Sequence, residues 1–317
     1  MRFVSVNAIP SLPPDRFLTL EGTTFQYLDW GGTGEPLLLL PGMGCSVHIF
    51  CDFAPHFTDH FHVMGFNRRG HGLSDMPVDP PTIPSLAEDT RKFIDALALT
   101  RINLVGHSLG GMEVSELASR YPDRFGRLVY LDGAVDMRDR KSEPTDPLAS
   151  LQPETPNVFP SYDAYVQFVM RVYPELRSFW GRAMDASFRA SLVCHDDGQV
   201  EERFKDKDAE PFLKAFREYS HPYSQIESPA LAFYSLSDTH PDIPDEADAP
   251  LREEAERWWR EVFVPWRRAA MGRFLREAKL PQAIELADAS HYPFIDRLEQ
   301  VVRAMREFLL GQHQDVC

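Results

Sequence analysis

Apolar positions in this chain fall into short unbroken runs that alternate with stretches of helical spacing. Pro36 to Leu40 is continuously apolar, the pattern of a strand buried on both faces. Phe61 to Phe66, Ile102 to Val105 and Arg127 to Leu131 repeat that kind of run. Between them, Leu86, Phe93, Ile94 and Leu97 form one face of a helix opened by Ser85-x-x-Glu88, which has the form of a capping box. From Leu109 to Tyr121, Met112, Leu117, Ala118 and Tyr121 recur at roughly helical spacing before Pro122 ends the helix. Upstream, Phe17–Leu20 and Thr24–Leu28 read as a hairpin turning at Glu21-Gly22-Thr23. Strand and helix in alternation predict a parallel sheet with helices on both faces.

After Asp132-Gly133 the alternation stops. Residues 136–160 are charged and proline-rich, and Ser161–Trp180, Arg182–Cys194 and Ala209–His221 read as aromatic-rich helical pieces with nothing strand-like. The sheet resumes at Pro229–Tyr234, ending in Ser235-Leu236-Ser237-Asp238. A long helix follows, on which Trp258, Trp259, Val262, Phe263 and Trp266 form one stripe that reads as core packing, with a kink expected at Pro265. Ala283–Leu286 is a last strand leading to Ser290-His291, and the closing helix carries Ile295, Leu298, Val301, Val302, Met305, Phe308 and Leu309 at near-ideal spacing. The expected division is a core of residues 1–133 and 229–317, with a helical cap inserted over 134–228.

Composition narrows the function. With 317 residues, 43% hydrophobic and 26% charged, the chain can bury a large core. A formal charge of -15 lacks the basic footprint that nucleic-acid binding needs. Cysteines at 45, 51, 194 and 317 make no Cys-x-x-Cys pair and read as reduced thiols. Met1 to Pro14 has no apolar run, so neither a signal peptide nor a membrane span is expected, and the location expected is cytoplasmic. Monomer and homodimer both stay open. His56-x-x-x-His60-x-His62 lacks a completing cysteine or carboxylate and reads as a solvated loop rather than a metal site.

The candidate chemistry centres on Gly106-His107-Ser108-Leu109-Gly110. Ser108 sits where a strand reverses into a helix, which pushes its hydroxyl beyond the sheet edge. A serine hydroxyl needs a neutral imidazole to take its proton, and that imidazole needs a carboxylate to fix its tautomer. Strand ends of a parallel sheet open onto one edge, so the three groups can come from different strands. Ser108, Asp238 and His291 each follow an expected strand, in that order. Asp132 also follows one, and Asp242 and Asp245 lie near Asp238, so the acid has alternatives.

Leu-Leu-Pro-Gly-Met-Gly at 39–44, Asn-Arg-Arg-Gly-His-Gly-Leu-Ser at 67–74, Gly-His-Ser-Leu-Gly-Gly at 106–111, Leu-Ser-Asp at 236–238 and Ser-His-Tyr-Pro at 290–293 occur in that order. Through them the sequence resembles the α/β-hydrolase fold superfamily from about Phe17 to Leu310. The resemblance implies an α/β fold with a mostly parallel, doubly wound sheet and an inserted helical cap. It implies nucleophile Ser108, acid Asp238, base His291, and an oxyanion hole from the backbone N–H groups of Met43 and Leu109. Pro41 and Asn67 depart from a histidine and an aspartate common at those places.

The expected activity is hydrolysis of a small to medium, largely apolar carboxylic ester or lactone through an acyl-enzyme on Ser108, with no cofactor or metal. Carbon–carbon bond hydrolysis and acyl transfer can use the same triad. A ligand-binding receptor with little turnover is the alternative from another class. Epoxide and haloalkane hydrolysis are disfavoured, because family members with those activities use aspartate where this chain has Ser108.

Overall fold

A computed structural model describes residues 12–140, 145–151 and 153–311. The opening residues through Ser11, and Cys317, therefore lie outside the described residues. The strands are β1 (Arg16–Leu20), β2 (Thr23–Gly31), β3 (Glu35–Leu40), β4 (Phe61–Phe66), β5 (Ile102–His107) and β6 (Phe125–Leu131), with α1 (Ile83–Ala96) and α2 (Leu109–Arg120) between them. Next come α3 (Tyr162–Val172), α4 (Arg182–Ala190), β7 (Leu192–Cys194), β8 (Val200–Glu202) and α5 (Asp206–Glu218). The chain closes with β9 (Ala230–Leu236), α6 (Ala249–Trp258), α7 (Val264–Glu277), β10 (Pro281–Ala287), α8 (Pro293–Asp296) and α9 (Leu298–Leu309).

The main sheet has eight strands in the order β1-β2-β4-β3-β5-β6-β9-β10. From β4 to β10 every neighbouring pair is parallel, while β1 and β2 join antiparallel. The left-handed pair Glu21 (φ +50°) and Gly22 (φ +85°) makes the tight turn of that hairpin. The unbroken apolar runs serve both faces of the sheet. Leu37, Leu39, Val105, Val129 and Phe233 pack on one side with α9, and Leu38, Leu40, Leu104, Leu128 and Tyr234 on the other with α1, α2 and α7. Such alternation is what helices on both faces require.

Three local readings change. The N-cap of α1 is Thr82, not Ser85, because Ser85 is the third helical residue and exchanges hydrogen bonds with Thr82 (3.2 and 2.9 Å). Between β6 and β9 the chain is not wholly helical: β7 and β8 pair as a small hairpin turned at Gly198, whose φ is +86°. The helical irregularity expected at Pro265 lies just ahead of it. One π-helical turn, Trp259–Phe263, joins α6 to α7 and absorbs the hydrogen bond that proline cannot donate.

Because β6 and β9 are adjacent, the segment between them leaves and re-enters the sheet at neighbouring strand ends. That edge also carries the ends of β3 and β5. Among the described residues no helix is long and apolar enough to cross a membrane.

Candidate active site

β5 ends at His107 and α2 begins at Leu109, so Ser108 alone makes the reversal. Its backbone sits at φ +50°, ψ −119°, a conformation that costs a residue with a Cβ about 1–3 kcal/mol. The flanking glycines are required by close approach. A Cβ on Gly106 would collide with the Gly110 carbonyl, and one on Gly110 with the carbonyl of Leu40. Ser108 is half-buried and opens onto a cavity.

The loop after β3 packs against this elbow. A Cβ on Gly42 would stand 2.8 Å from His107 Nδ1 and 3.2 Å from the Ser108 Cβ, which brings Met43 to the same place. The Leu109 N–H is at the first helical position and has no acceptor within its helix.

Arg68, 1% exposed, fixes that loop: Nη1 donates to the Gly42 carbonyl (3.0 Å), Nη2 to the Pro41 carbonyl, and Nε to Glu113 Oε1 on α2 (2.6 Å). His71 continues the support. Its Nδ1–H donates to the Arg69 carbonyl (3.2 Å), and Nε2 accepts the Gly44 N–H (3.0 Å). Burial holds the His71 pKa well below the ordinary histidine value, and the Arg68 charge adds to that, so this acceptor is a neutral imidazole.

His107 does more than pack. Its Nε2–H donates to the His291 carbonyl (2.8 Å), tying the strand before Ser108 to the loop that carries the imidazole. Burial, reinforced by the nearby His291, pushes the His107 pKa down to about 3.

The carboxylate beside His291 is Asp132, not Asp238. Asp132 Oδ2 accepts from His291 Nδ1 at 2.6 Å, while Oδ1 accepts the Ser235 N–H (2.9 Å) and the Arg267 guanidinium. Burial by itself raises the Asp132 carboxyl, but the Arg267 charge and the His291 hydrogen bond outweigh it and leave the pKa below the usual carboxylate value.

The reason lies in how the two strands end. At the end of β6 the Asp132 N–H bonds the Phe233 carbonyl (3.1 Å) and its left-handed backbone (φ +51°) keeps the side chain over the sheet edge. β9 runs on to Leu236, the Ser237 carbonyl is held by Trp259 Nε1 (2.8 Å), and Asp238 is exposed. The other carboxylates are occupied elsewhere. Asp242 accepts the Glu175 N–H (3.2 Å), and Asp245 pairs with Arg177 (2.8 Å).

Ser108, Asp132, His291 and Met43 line a cavity of about 670 Å³. Its other walls come largely from the segment between β6 and β9: Tyr165, Phe168 and Val169 of α3, Phe188 of α4 and Phe216 of α5. Trp259, Phe263 and Trp266 complete the wall, so much of the aromatic stripe faces the cavity instead of serving only the core. Phe159 and Trp180 stay with packing, against Tyr165 (5.1 Å between centroids) and Phe188 (5.1 Å, stacked). Glu175 also lines the cavity, its pKa pushed up to about 8 by burial and by the neighbouring Asp242, Asp296 and Asp132.

His62 pairs with Asp29 (2.9 Å) and does not join His56 and His60. Those two border a separate surface depression of about 470 Å³ beside α9. Among the described residues no three His, Cys, Asp or Glu side chains converge as metal ligands. Sequence reasoning misses Arg267. A charged residue directly after Trp266 on an otherwise apolar face is its one signal in the sequence.

The 3-oxoadipate enol-lactonase 2 of Acinetobacter baylyi is 26% identical over 126 residues, covering 39% of this chain and 47% of that protein. The fluoroacetate dehalogenase of Burkholderia sp is 34% identical over 107 residues, 32% of this chain and 35% of that one. The chain thus spans under half the length of the curated relatives it matches. Among solved structures, E-2-(acetamidomethylene)succinate hydrolase superposes with a TM-score of 0.70 at 19% identity, over 93% of this chain and 98% of that one. A sequence profile described as the alpha/beta hydrolase fold matches residues 35–214, and the chain belongs to that family.

Proposed function

We propose that this chain is a serine hydrolase that cleaves a small to medium, largely apolar carboxylic ester or lactone. The observation that carries this reading is the Asp132–His291 bond of 2.6 Å beside a serine on a left-handed elbow. Asp132 fixes Nδ1 as the protonated nitrogen and leaves Nε2 to act as base. Ser108 Oγ attacks the carbonyl as its proton passes to His291. The oxyanion forms against the N–H groups of Met43 and Leu109, where loss of one donor typically costs about 3–4 kcal/mol. His291 then protonates the leaving alcohol, and water repeats the cycle to release the acid.

The aromatic wall supports an apolar substrate, and residues 134–228 act as its cap. The lactonase relative is consistent with attack on an acyl carbonyl. The dehalogenase relative does not extend its chemistry to this chain: halide displacement with an ester intermediate needs a carboxylate nucleophile, and position 108 is serine.

Turnover of nitrophenyl esters of increasing acyl length tests the reading. The wild-type protein cleaves them, and Ser108→Ala and His291→Ala do not. Ester cleavage that survives Ser108→Ala would overturn the mechanism, and tight binding of an apolar ligand without cleavage would favour a receptor.

A further inference from the structure

Arg267 pairs directly with the carboxylate that holds the imidazole. It is 3% exposed, its guanidinium bonds Asp132 Oδ1, and its Nε has no hydrogen-bond partner among the described residues. We propose that Arg267 is a positioning residue that sets the working pH range of the Asp132–His291 pair, keeping the base available at lower pH. This rests on the serine-hydrolase reading of the site.

A buried ion pair is seldom a net stabiliser of a fold, since well-packed apolar replacements are often neutral or better. Here the arginine even leaves one N–H unsatisfied. Arg267 and the Ser235 N–H both take Oδ1, so Oδ2 is left for His291 alone. The π-helical turn at Trp259–Phe263 lies immediately before α7, the helix that delivers Arg267 to this contact.

The charges around the pair make Arg267 decisive. Asp242 from the loop after β9 and Asp296 of α8 bring acidic groups to this region, Glu175 from the turn at 174–178 stays protonated up to about pH 8 and adds no charge on the acid limb, and His107 of β5 faces His291 at 4.8 Å between ring centroids. Acidic neighbours favour a protonated imidazole, which cannot act as base. The arginine opposes them from behind Asp132. Across a few ångströms at an effective dielectric of about 20, one unit charge would move such a titration by roughly two to three pH units, and solvent on the exposed side of His291 screens this to the order of one.

The test is the pH dependence of kcat/KM on a nitrophenyl ester for wild type, Arg267→Gln, Arg267→Met and Arg267→Lys. Both neutral variants move the acid limb up by about one pH unit, so that below the limb they lose roughly tenfold more activity than they lose on the plateau. Arg267→Lys keeps the charge and leaves the limb in place. An acid limb unmoved in Gln and Met, with kcat/KM lowered evenly at every pH, would overturn the proposal and leave Arg267 a structural residue. In the Ser108→Ala background the Nδ1 proton resonance of His291 is followed by NMR over the same pH range. Its transition moves with the neutral variants and not with lysine. That arm needs no turnover, so a failure of ester hydrolysis itself would be told apart from a failure of this assignment.

Discussion

Arg68 and Arg267 are both buried at the edge of the same site, and both face a carboxylate, yet the two regions they organise work differently. Arg68 meets Glu113, which lies on α2 and among the described residues makes no hydrogen bond to Ser108, Asp132 or His291; its remaining donors go to the carbonyls of Pro41 and Gly42. Its charge is neutralised away from the reacting atoms, and its product is the shape of the loop bearing Met43. Arg267 meets Asp132 itself. There the charge reaches the imidazole through one carboxylate, and its product is an electrostatic setting. One region should therefore fail by losing geometry and stability, the other by losing the correct protonation state.

The acid side gives the largest expected effect. Asp132→Asn cannot hold the working His291 tautomer and lowers kcat/KM by about 10³ to 10⁴. Asp238→Asn, at an exposed position, changes it by no more than about twofold to threefold. Steady-state kinetics on one nitrophenyl ester decides between them. Equal losses from the two substitutions would mean that both strand ends serve the imidazole, and the contrast between the regions would collapse.

On the oxyanion side, Glu113→Gln tests whether Arg68 is there for shape. Burial raises the Glu113 carboxyl, while Arg68 and a Thr90 hydroxyl at 3.3 Å draw it back. Removing its charge leaves Arg68 uncompensated in the core, at a cost of about 3 kcal/mol and a melting temperature lower by on the order of 5–10 °C. The pH dependence of the remaining activity should keep its wild-type form. Thermal melts beside a pH profile check both halves of that statement, and a displaced acid limb in Glu113→Gln would show that Arg68 also acts electrostatically on the base.

The same contrast explains what is legible in the sequence. The elbow, the 39–44 turn and the 67–74 loop are short motifs whose glycines and polar side chains answer to close approach with one another, so their residue types can be read in place even though Arg68 lies 26 and 45 residues from Gly42 and Glu113. Parallel strands, too, announce themselves by apolar runs, because both faces of β3, β5, β6 and β9 must be covered. The acid is ambiguous because two adjacent strands both run into aspartates, and only tertiary partners separate them. Ser235 and Arg267 lie 103 and 135 residues from Asp132, and no local pattern links them to it. The β7–β8 hairpin escapes notice because strands of three residues carry no period. Arg267 escapes it because one charge on an apolar helix face does not say which carboxylate it meets.

The smallest effect is a matter of acid stability, and it separates the regions along the pH axis. His71, beside the loop bearing Met43, and His107, between that loop and His291, are held neutral, with His107 pushed down to about 3 by burial and His291 and His71 lowered well below its ordinary value by burial and Arg68. His221, outside the site, is pushed down to about 4 by burial. An unfolded chain protonates these imidazoles near pH 6.5 while the folded chain does not. Below that pH the unfolded state binds more protons, and stability falls with pH by up to about 1.4 kcal/mol per unit for each such histidine. Asp132 behaves otherwise: its pKa is depressed, so its contribution is intact above the ordinary carboxylate range and is lost only as pH falls through and below about 4. Between pH 6.5 and about 4.5 the loss therefore belongs to the histidines, and Glu175, pushed up to about 8, and Glu113, raised by burial, take up protons only in the folded chain and offset part of it. Urea unfolding at pH 7, 6 and 5 should show it, and His71→Gln should make the slope shallower by about one histidine's share while lowering stability at pH 7 through the lost Gly44 contact. A slope unchanged by that substitution would mean that His71 takes up a proton in the folded state, and the oxyanion side would then share the electrostatic character assigned here to Arg267 and Asp132.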